Sequence, residues 1–329
     1  MKRYLIVGGD TFIGASLVRR LVRDGKEVHI IVQSPLNLWR IHDVMLSIKM
    51  HTVDLSDEQN VFETLNKIKA SVIISAIAHG ENPDNGNIDD IYDQNFFNLL
   101  ILIRQAKEIG FSSFIHTGSY QEYGRRPQAL SESSNTEPLS HFGIAKAAAT
   151  MYCLKEARLS NLPIYTVRPF VPYGFFQSSN SFFTKLFSST FSAVDFNPYY
   201  ANTSYDFIHI DDVVNIYLAI AQHPPTNQFV FNAGSGKSFR LRDMVQLFEE
   251  TCKQPTQIEW TLISDSRHAF ESSSLCVADQ TITNAHLGSF LPPQKELAVG
   301  IRETFEWFVK NNATIIAGLK EPKSSLLNK

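Results

Sequence analysis

A glycine-rich turn near the start of the chain limits the folds that this sequence can adopt. Residues 8–14 have the sequence Gly-Gly-Asp-Thr-Phe-Ile-Gly; they follow an apolar run at 4–7 and precede apolar residues that recur at helical spacing. A strand, a glycine turn and a helix in this order are typical of the first unit of a dinucleotide-binding fold. The sequence therefore predicts a βαβ unit whose turn faces a pyrophosphate.

The turn also predicts how each of its residues contributes to binding. Gly8 permits the tight turn, Gly14 lets helix and strand approach, and the helix N-terminus offers free N–H groups to the pyrophosphate. The middle position of the motif, usually Gly, is Thr11. Its Cβ could crowd the phosphates, or its hydroxyl could donate to one of them, and both alternatives stay open. The residues expected to bind the cofactor here are Gly8, Thr11, Phe12, Ile13 and Gly14.

Short β-branched runs alternate with longer amphipathic segments in the first half of the chain. This alternation is typical of a parallel sheet with helices on both faces, so the expected class is α/β, a Rossmann-type doubly wound parallel sheet. The predicted strands are 4–7, 28–32, 72–77, 114–117 and 164–167. After about residue 170 the composition shifts to Phe, Ser, Asn and Tyr. We therefore predict an NAD(P)-binding domain at 1–170 and a smaller C-terminal substrate-binding region at 171–329, with some chain crossing back to the sheet.

Charge and composition argue against several classes of partner. The net charge is -3 and the Lys and Arg residues are scattered, which disfavours nucleic acid. Apolar runs such as 99–103 are far shorter than the roughly 18 residues of a membrane span, so we expect none. The first residues lack the apolar stretch of a secretory signal, which predicts a cytoplasmic protein. Three widely spaced cysteines predict neither a disulfide framework nor a metal site.

The end of the second predicted strand bears on the choice of cofactor. An Asp or Glu there would accept both ribose hydroxyls of NAD, whereas its absence beside an Arg suits the extra phosphate of NADP. The chain has Gln33 and Ser34 at this point and Arg40 a little further on. We therefore favour NADP(H), bound through Ser34 and Arg40, and keep NAD(H) as the alternative. The alternative explanation of Arg40 is a surface residue whose aliphatic stem is packed.

A second polar cluster lies at residues 54–57, after a further strand expected between those at 28–32 and 72–77. Asp54 and Leu55 are expected beside the adenine, with Asp54 accepting a hydrogen bond from the adenine amino group. Ser56 or Asp57 is in turn placed to cap a helix that begins near Glu58.

Further motifs follow the glycine turn in a fixed order. They are Ser-Ala-Ile-Ala at 75–78, Asn95, Thr-Gly-Ser-Tyr-Gln-Glu-Tyr-Gly at 117–124, Phe-Gly-Ile-Ala-Lys at 142–146, Arg-Pro-Phe-Val-Pro-Tyr-Gly at 168–174, Asp-Phe-Ile-His-Ile-Asp-Asp at 206–212 and Asn-Ala-Gly-Ser-Gly at 232–236. Together they resemble the extended short-chain dehydrogenase/reductase family, whose members mostly act on nucleotide-linked sugars. The resemblance covers nearly the whole chain. It implies further cofactor contacts from Ala76, Ile77, Ala78, Asn95, Lys146, Pro169 and Phe170.

The family's catalytic set is a Ser or Thr, a Tyr and a Lys, the last two one helical turn apart. The Lys lowers the pKa of the phenol from about 10 and binds the nicotinamide ribose, while the Ser orients the substrate oxygen. The matching residues are Ser119 and Lys146, but Phe142 occupies the Tyr position. Because a phenyl ring has no proton to give, the family's general acid/base is missing.

Three explanations of Phe142 are open. The chain could be a Tyr-to-Phe variant made to trap a ternary complex, a natural enzyme with another proton donor, or a binding protein that has lost its chemistry. We favour the first because Ser119 and Lys146 remain. His141 and Tyr123 are the candidates for another donor.

The resemblance also implies a nucleotide-sugar substrate. Dehydratases of the family carry an acidic pair directly after the active-site hydroxyl residue, where this chain has Tyr120 and Gln121. Dehydration is therefore disfavoured. The preferred reaction is NADPH-dependent reduction of the C4 keto group of a dTDP- or CDP-linked 4-keto-6-deoxyhexose. The alternatives are a nucleotide-sugar 4-epimerase and a catalytically silent NAD(P)-binding protein.

Four residues are expected to contact the substrate: His79, Ser119, Tyr120 and Arg267. Arg267 is the candidate for the diphosphate because Tyr205 occupies the position where the family often has Arg. His209, Asp211 and Asp212 resemble metal ligands, but Asp211 or Asp212 is better explained as a helix cap, so no metal is assigned. By analogy with the family, apolar positions on the helices at 95–107 and 142–159 predict a homodimer through a four-helix bundle.

Overall fold

The computed structural model describes residues 2–34, 38–80, 87–124, 126–192, 201–258 and 276–320. Its centre is a parallel sheet of seven strands. These strands are β1 (Arg3–Val7), β2 (Glu27–Val32), β3 (Lys49–Thr52), β4 (Val72–Ser75), β5 (Ser113–Thr117), β6 (Ile164–Pro169) and β10 (Val230–Ala233). Their order across the sheet is β10-β6-β5-β4-β1-β2-β3.

The remaining elements are short strand pairs and helices. Parallel strands β7 (Val171–Tyr173) and β9 (Phe207–His209) form one pair, and antiparallel strands β8 (Ser204–Tyr205) and β11 (Phe239–Arg240) the other. The helices are α1 (Phe12–Arg23), α2 (Glu58–Ile68), α3 (Ile88–Tyr92), α4 (Asn98–Ile109), α5 (His141–Leu159), α6 (Phe182–Ser188), α7 (Ile210–Gln222), α8 (Leu241–Cys252), α9 (Thr281–Leu287) and α10 (Leu297–Lys320). Within the described ranges, none of them has the length and hydropathy required to cross a bilayer.

Both faces of the sheet are buried, as the sequence predicts. Side chains of a strand alternate between the two faces. Ile6 and Ile30 pack in one core with residues of α1 and α7, whereas Leu5 and Ile31 pack in a second core with residues of α2, α4 and α5. The predicted doubly wound α/β class is therefore confirmed.

All five predicted strands are present, with boundaries that differ from the predicted ones by one or two residues. The third ends at Ser75 rather than at residue 77. Beyond it the carbonyl of Ile77 turns to accept a hydrogen bond from Lys146 instead of joining the ladder. β10, which was not among the predicted strands, lies at the sheet edge beside β6, so the chain crosses back to the sheet after residue 171.

A third core, rich in aromatic residues, is built by the chain after residue 171. Its buried members include Tyr173, Phe183, Phe187, Phe207, Phe248, Phe305 and Phe308. Aromatic side chains bury large areas and pack at defined ring distances, such as the 4.7 Å between the centroids of Tyr173 and Phe183. The Phe-rich composition of this region therefore reflects a core separate from the two that cover the sheet.

Candidate active site

The glycine turn has the shape that a pyrophosphate site requires. Gly8 has a φ of +77°, in the region that favours glycine. A Cβ on Gly14 would clash with the carbonyl oxygen of Gly8, so only glycine allows the helix to begin this close to the strand. The first amides of α1, at Phe12 and Ile13, have no partner within the helix by geometry. These features fit a dinucleotide whose phosphates approach the start of α1.

Thr11, at the middle position of the motif, is the N-cap of α1. Its Oγ1 accepts a hydrogen bond from the Gly14 amide at 3.1 Å. The same oxygen lies 2.8 Å from the carbonyl oxygen of Gly8 and 3.0 Å from that of Ala76, and donates to them. The hydroxyl is therefore used to tie the glycine turn to the end of β4, a role that neither alternative from the sequence anticipated.

Arg40 lies beside the glycine turn. Its Nε donates to the carbonyl oxygen of Phe176 at 2.8 Å and its Nη1 to that of Asp10 at 3.4 Å. Burial lowers the pKa of Arg40 to about 10 and raises the pKa of Asp10. Ser34 is exposed at the end of β2. The structure thus brings a partly buried guanidinium to the side of the glycine turn.

The polar cluster after β3 caps the next helix. Asp57 is the N-cap of α2 and accepts from the Asn60 amide at 3.0 Å, which confirms one of the two predicted caps. Asp54 accepts from the amide and hydroxyl of Ser56, and these hydrogen bonds lower its pKa. Leu55 is buried. Asp54 therefore remains an ionised acceptor at the end of β3.

The segment after β4 is fixed by Asn95. The Asn95 Nδ2 donates to the carbonyl oxygen of His79 at 2.8 Å, and its Oδ1 accepts from the His79 amide at 3.2 Å. Asn95 itself is buried in the π-helical turn that joins α3 to α4. The contact sets the path of the chain through Ala78 and His79.

Lys146 joins the carboxyl ends of two neighbouring strands. It is 1 % exposed, and its Nζ donates to the carbonyl oxygens of Ile77 at 2.6 Å and Thr117 at 2.9 Å. Ser119 lies two residues after Thr117, and its Oγ accepts from the Gln121 amide at 3.1 Å. Because that contact uses a lone pair, the hydroxyl proton of Ser119 stays available to a substrate oxygen.

Phe142 lies one turn before Lys146 on α5, as the spacing predicts. The side chain is buried and packs with Ile91 and Ala145. Its ring centroid is 5.5 Å from the Lys146 Nζ. The ring therefore lies beside the ammonium, at the position where the family resemblance implies a phenol.

The two candidate replacement donors differ in their surroundings. Tyr123 is fully buried, and its hydroxyl donates to the Oδ1 of Asn232 at 2.7 Å. Burial raises the pKa of Tyr123, so it is a structural residue rather than a proton donor. The Nδ1 of exposed His141 lies 3.1 Å from the hydroxyl of Tyr92. This pair is at the surface near the start of α5.

Three further residues predicted to contact the cofactor or the substrate, Tyr120, Pro169 and Phe170, lie around the end of β6. The ring of Tyr120 stacks on Phe170, with centroids 5.8 Å apart and planes at 25°. Phe170 is buried directly after Pro169, the last residue of β6. Arg267, the predicted diphosphate contact, lies outside the described residues.

A buried ion pair behind Ser119 was not predicted from the sequence. The Oε1 of Glu122 accepts from the Ser119 amide at 2.8 Å and the Thr150 hydroxyl at 3.0 Å, while its Oε2 pairs with the Arg168 Nε at 2.8 Å. Glu122 is fully buried; burial raises its pKa and the Arg168 charge opposes this shift. A signal was present, because Ser119 followed three residues later by Glu122 is the pattern of a capping box.

The cap of α7 differs from the prediction. His209 is the N-cap, and its Nδ1 accepts from the Asp211 amide at 3.2 Å. Asp211 and Asp212 were therefore the wrong choice; they follow the cap and bind the side chain and amide of Lys295. Their carboxylates are favourable in the first turn because of the helix dipole. In the parts of the chain that the structure describes, no three His, Cys, Asp or Glu residues are grouped to hold a metal.

The fold and this site define a Rossmann-type, nucleotide-cofactor enzyme, and comparison with known proteins agrees. Residues 4–234 match the model of the NAD dependent epimerase/dehydratase family, so the chain belongs to that family. A dTDP-glucose 4,6-dehydratase from Streptomyces niveus is 23% identical over 325 residues, 94% of each chain.

The fold is shared with solved structures of nucleotide-sugar enzymes, including the following two. The dTDP-glucose 4,6-dehydratase of Bacillus anthracis str. Ames in complex with NAD has a TM-score of 0.84 at 16% identity, over 97% of this chain and 100% of that one. A Tyr-to-Phe mutant of the UDP-glucuronic acid 4-epimerase of Bacillus cereus, in complex with UDP-4-deoxy-4-fluoro-glucuronic acid and NAD, has a TM-score of 0.80 at 20% identity, over 94% and 99%.

Proposed function

We propose that the chain is an NADPH-dependent reductase of the C4 keto group of a dTDP- or CDP-linked 4-keto-6-deoxyhexose, slowed by Phe142. The observation that carries the proposal is the arrangement of Ser119 and Lys146 at the ends of β4 and β5 with a phenyl ring beside them in place of a phenol. Bound NADPH would supply the hydride. The site retains its positioning groups and lacks its proton donor.

Other described side chains support the remaining parts of the proposed reaction. The Lys146 ammonium is held by two carbonyl oxygens, and in this proposal it binds the nicotinamide ribose. The Ser119 hydroxyl can donate to the keto oxygen and so stabilise the negative charge that develops there. Phe142 transfers no proton, so that proton must come from water or a more distant group. The expected result is ligand binding with slow turnover.

Dehydration is not supported although a relative is a dehydratase. That reaction needs a separate acid and base. Tyr120 is stacked on Phe170, and the Gln121 Oε1 accepts from the Ser140 hydroxyl at 2.9 Å. Tyr120 and Gln121 thus carry no carboxyl group, whereas the family's dehydratases have an acidic residue at each of these two positions.

The second candidate is a nucleotide-sugar 4-epimerase, which the structural likeness to a 4-epimerase favours. An epimerase retains its cofactor, whereas a reductase exchanges it each turnover. The test is to release and identify any nucleotide from the purified chain and then to follow NADPH oxidation with dTDP- and CDP-linked 4-keto-6-deoxyglucose. Slow oxidation by a cofactor-free chain supports the reductase. Retained NAD with no net oxidation would reject it in favour of the epimerase.

We further propose that Arg40 selects NADP(H) by binding the 2′-phosphate. Arg40→Ala is expected to raise the Kd of NADPH about 10- to 100-fold, the worth of a charge-assisted hydrogen bond, and that of NADH by less than about 3-fold. Nicotinamide fluorescence titration measures both constants. Arg20→Ala is the control, because Arg20 contacts Asp24 and Asn215. Equal losses for the two cofactors would reject the 2′-phosphate contact.

We also propose that a second copy of the chain covers the outer face of the α4 and α5 pair. Ile144 and Met151 are 42% and 58% exposed and, seven residues apart, lie on one face of α5. Phe97, directly before α4, is 51% exposed. Ile144→Lys with Met151→Lys is expected to convert a dimer into a monomer in light scattering after gel filtration. Leu46→Lys alters an apolar residue exposed elsewhere and serves as the control. A monomeric unmodified chain would contradict the proposal.

A further inference from the structure

Phe176 adopts a backbone conformation that its side chain disfavours. Its φ is +66°, in the left-handed region where a bulky residue is a genuine outlier. The other non-glycine residues with positive φ in the described ranges are Lys69, Asn161 and Lys253. Such a conformation persists where the surroundings hold it in place, and it is common at functional sites.

Side chains from three segments hold the Phe176 ring. The guanidinium carbon of Arg19, on α1, lies 3.6 Å from the ring centroid. The ring of Trp307, on α10, is 4.5 Å away, and that of Trp39 is 6.0 Å away. The ring thus joins the segments flanking the glycine turn to the C-terminal helix.

The backbone of Phe176 holds Arg40. Its carbonyl oxygen accepts from the Arg40 Nε at 2.8 Å, and the Arg40 guanidinium also packs 4.6 Å over the Trp39 ring. The other end of the guanidinium reaches the carbonyl oxygen of Asp10 in the glycine turn. In a regular extended or helical conformation the carbonyl of Phe176 would point elsewhere, because φ and ψ set its direction.

We infer that Phe176 is a positioning residue for Arg40. Its ring, in contact with Arg19 and Trp307, fixes a left-handed backbone, and that backbone presents the carbonyl oxygen that orients the Arg40 guanidinium beside the glycine turn. The inference rests on the proposed role of Arg40 in binding NADP(H). It assigns to the loop after β7 a part in cofactor selection, although that loop lies far along the chain from the glycine turn.

The test is a double-mutant cycle on the Kd of NADPH, measured by nicotinamide fluorescence without turnover. Phe176→Ala is expected to raise this Kd about tenfold, because it removes the cation–π contact with Arg19 and with it the constraint on the carbonyl oxygen that orients Arg40. The Kd of NADH should be nearly unchanged. Phe176→Tyr keeps the ring and should bind as the unmodified chain does. In an Arg40→Ala background, Phe176→Ala should have no further effect, because the two residues act through one contact.

Phe175→Ala is the matched control. Phe175 is the adjacent aromatic residue and contacts His209 and Trp307. Equal weakening by Phe175→Ala and Phe176→Ala would overturn the inference by showing general loss of packing, as would full additivity of Phe176→Ala with Arg40→Ala. If Arg40→Ala alone leaves NADPH binding unchanged, the proposed cofactor contact fails and the role of Phe176 fails with it. If Arg40→Ala weakens NADPH binding strongly and the effect of Phe176→Ala adds to it in full, only the role of Phe176 is refuted and the proposed contact of Arg40 stands.

Discussion

Phe142→Tyr is expected to raise the rate of NADPH oxidation with a nucleotide-linked 4-keto-6-deoxyhexose by about 10²- to 10⁴-fold, the usual contribution of a general acid. The new hydroxyl would be carried by a ring whose centroid is 5.5 Å from the Lys146 Nζ. The ammonium would lower the pKa of the phenol and favour proton transfer near neutral pH. The Kd of NADPH should change little, because the substitution adds one oxygen and removes no contact.

Two controls separate this effect from a general improvement in packing. Phe142→Leu keeps an apolar residue and should not exceed the unmodified rate. Ser119→Ala combined with Phe142→Tyr should remove much of the gain, because the two hydroxyls act on one substrate oxygen. Equal rates for the unmodified chain and the Phe142→Tyr variant, both with bound substrate, would show that the proton comes from elsewhere. The surface pair of His141 and Tyr92 would then be the next candidate.

Glu122→Gln is expected to lower the free energy of unfolding by about 3–5 kcal/mol, as is typical when one partner of a buried ion pair is removed. Glu122 is 0% exposed and Arg168 is 3% exposed, so the remaining guanidinium would be buried without a counter-charge. Urea denaturation followed by circular dichroism measures the change. An exposed pair gives the control: Glu58→Gln should cost under about 1 kcal/mol, because the side chains of Glu58 and Arg104 are both 53% exposed.

A double substitution tests the cause. Glu122→Leu with Arg168→Met replaces both charges by apolar groups and should cost less than Glu122→Gln alone, since no charge stays buried unpaired. A double variant at least as unstable as the single one would show that packing or the hydrogen bond to the Ser119 amide, rather than the charge, is what Glu122 provides.

Local patterns in the sequence predicted much of the fold and several features of the local geometry at the candidate site. Gly8 and Gly14 have the close approach that the motif implies, and Asp57 caps α2. The spacing of Phe142 and Lys146 placed both on one face of α5. Each of these features is decided within one strand, turn or helix, where residue type and spacing carry the information.

Contacts between distant segments were not predictable in this way. Glu122, in the short helical turn after β5, pairs with Arg168 on β6. Phe176 contacts Arg19 and Trp307, which are far from it in the chain. The strained φ of Phe176 has no sequence signal, because glycine is the residue expected there. The position of β10 at the edge of the sheet likewise depends on the path of the whole chain between β6 and β10.

Transfer of deuterium from labelled NADPH would show directly whether the chain reduces a keto sugar. The chain would be incubated with NADPH carrying deuterium at the transferred position and a dTDP- or CDP-linked 4-keto-6-deoxyglucose, for long enough to allow slow turnover, and the sugar product analysed by NMR. A reductase places deuterium at C4 of the sugar in step with NADPH oxidation, and we expect this to be faster with Phe142→Tyr. Products of either form without deuterium at C4, or epimerised sugar formed with no loss of NADPH, would contradict the proposed reduction.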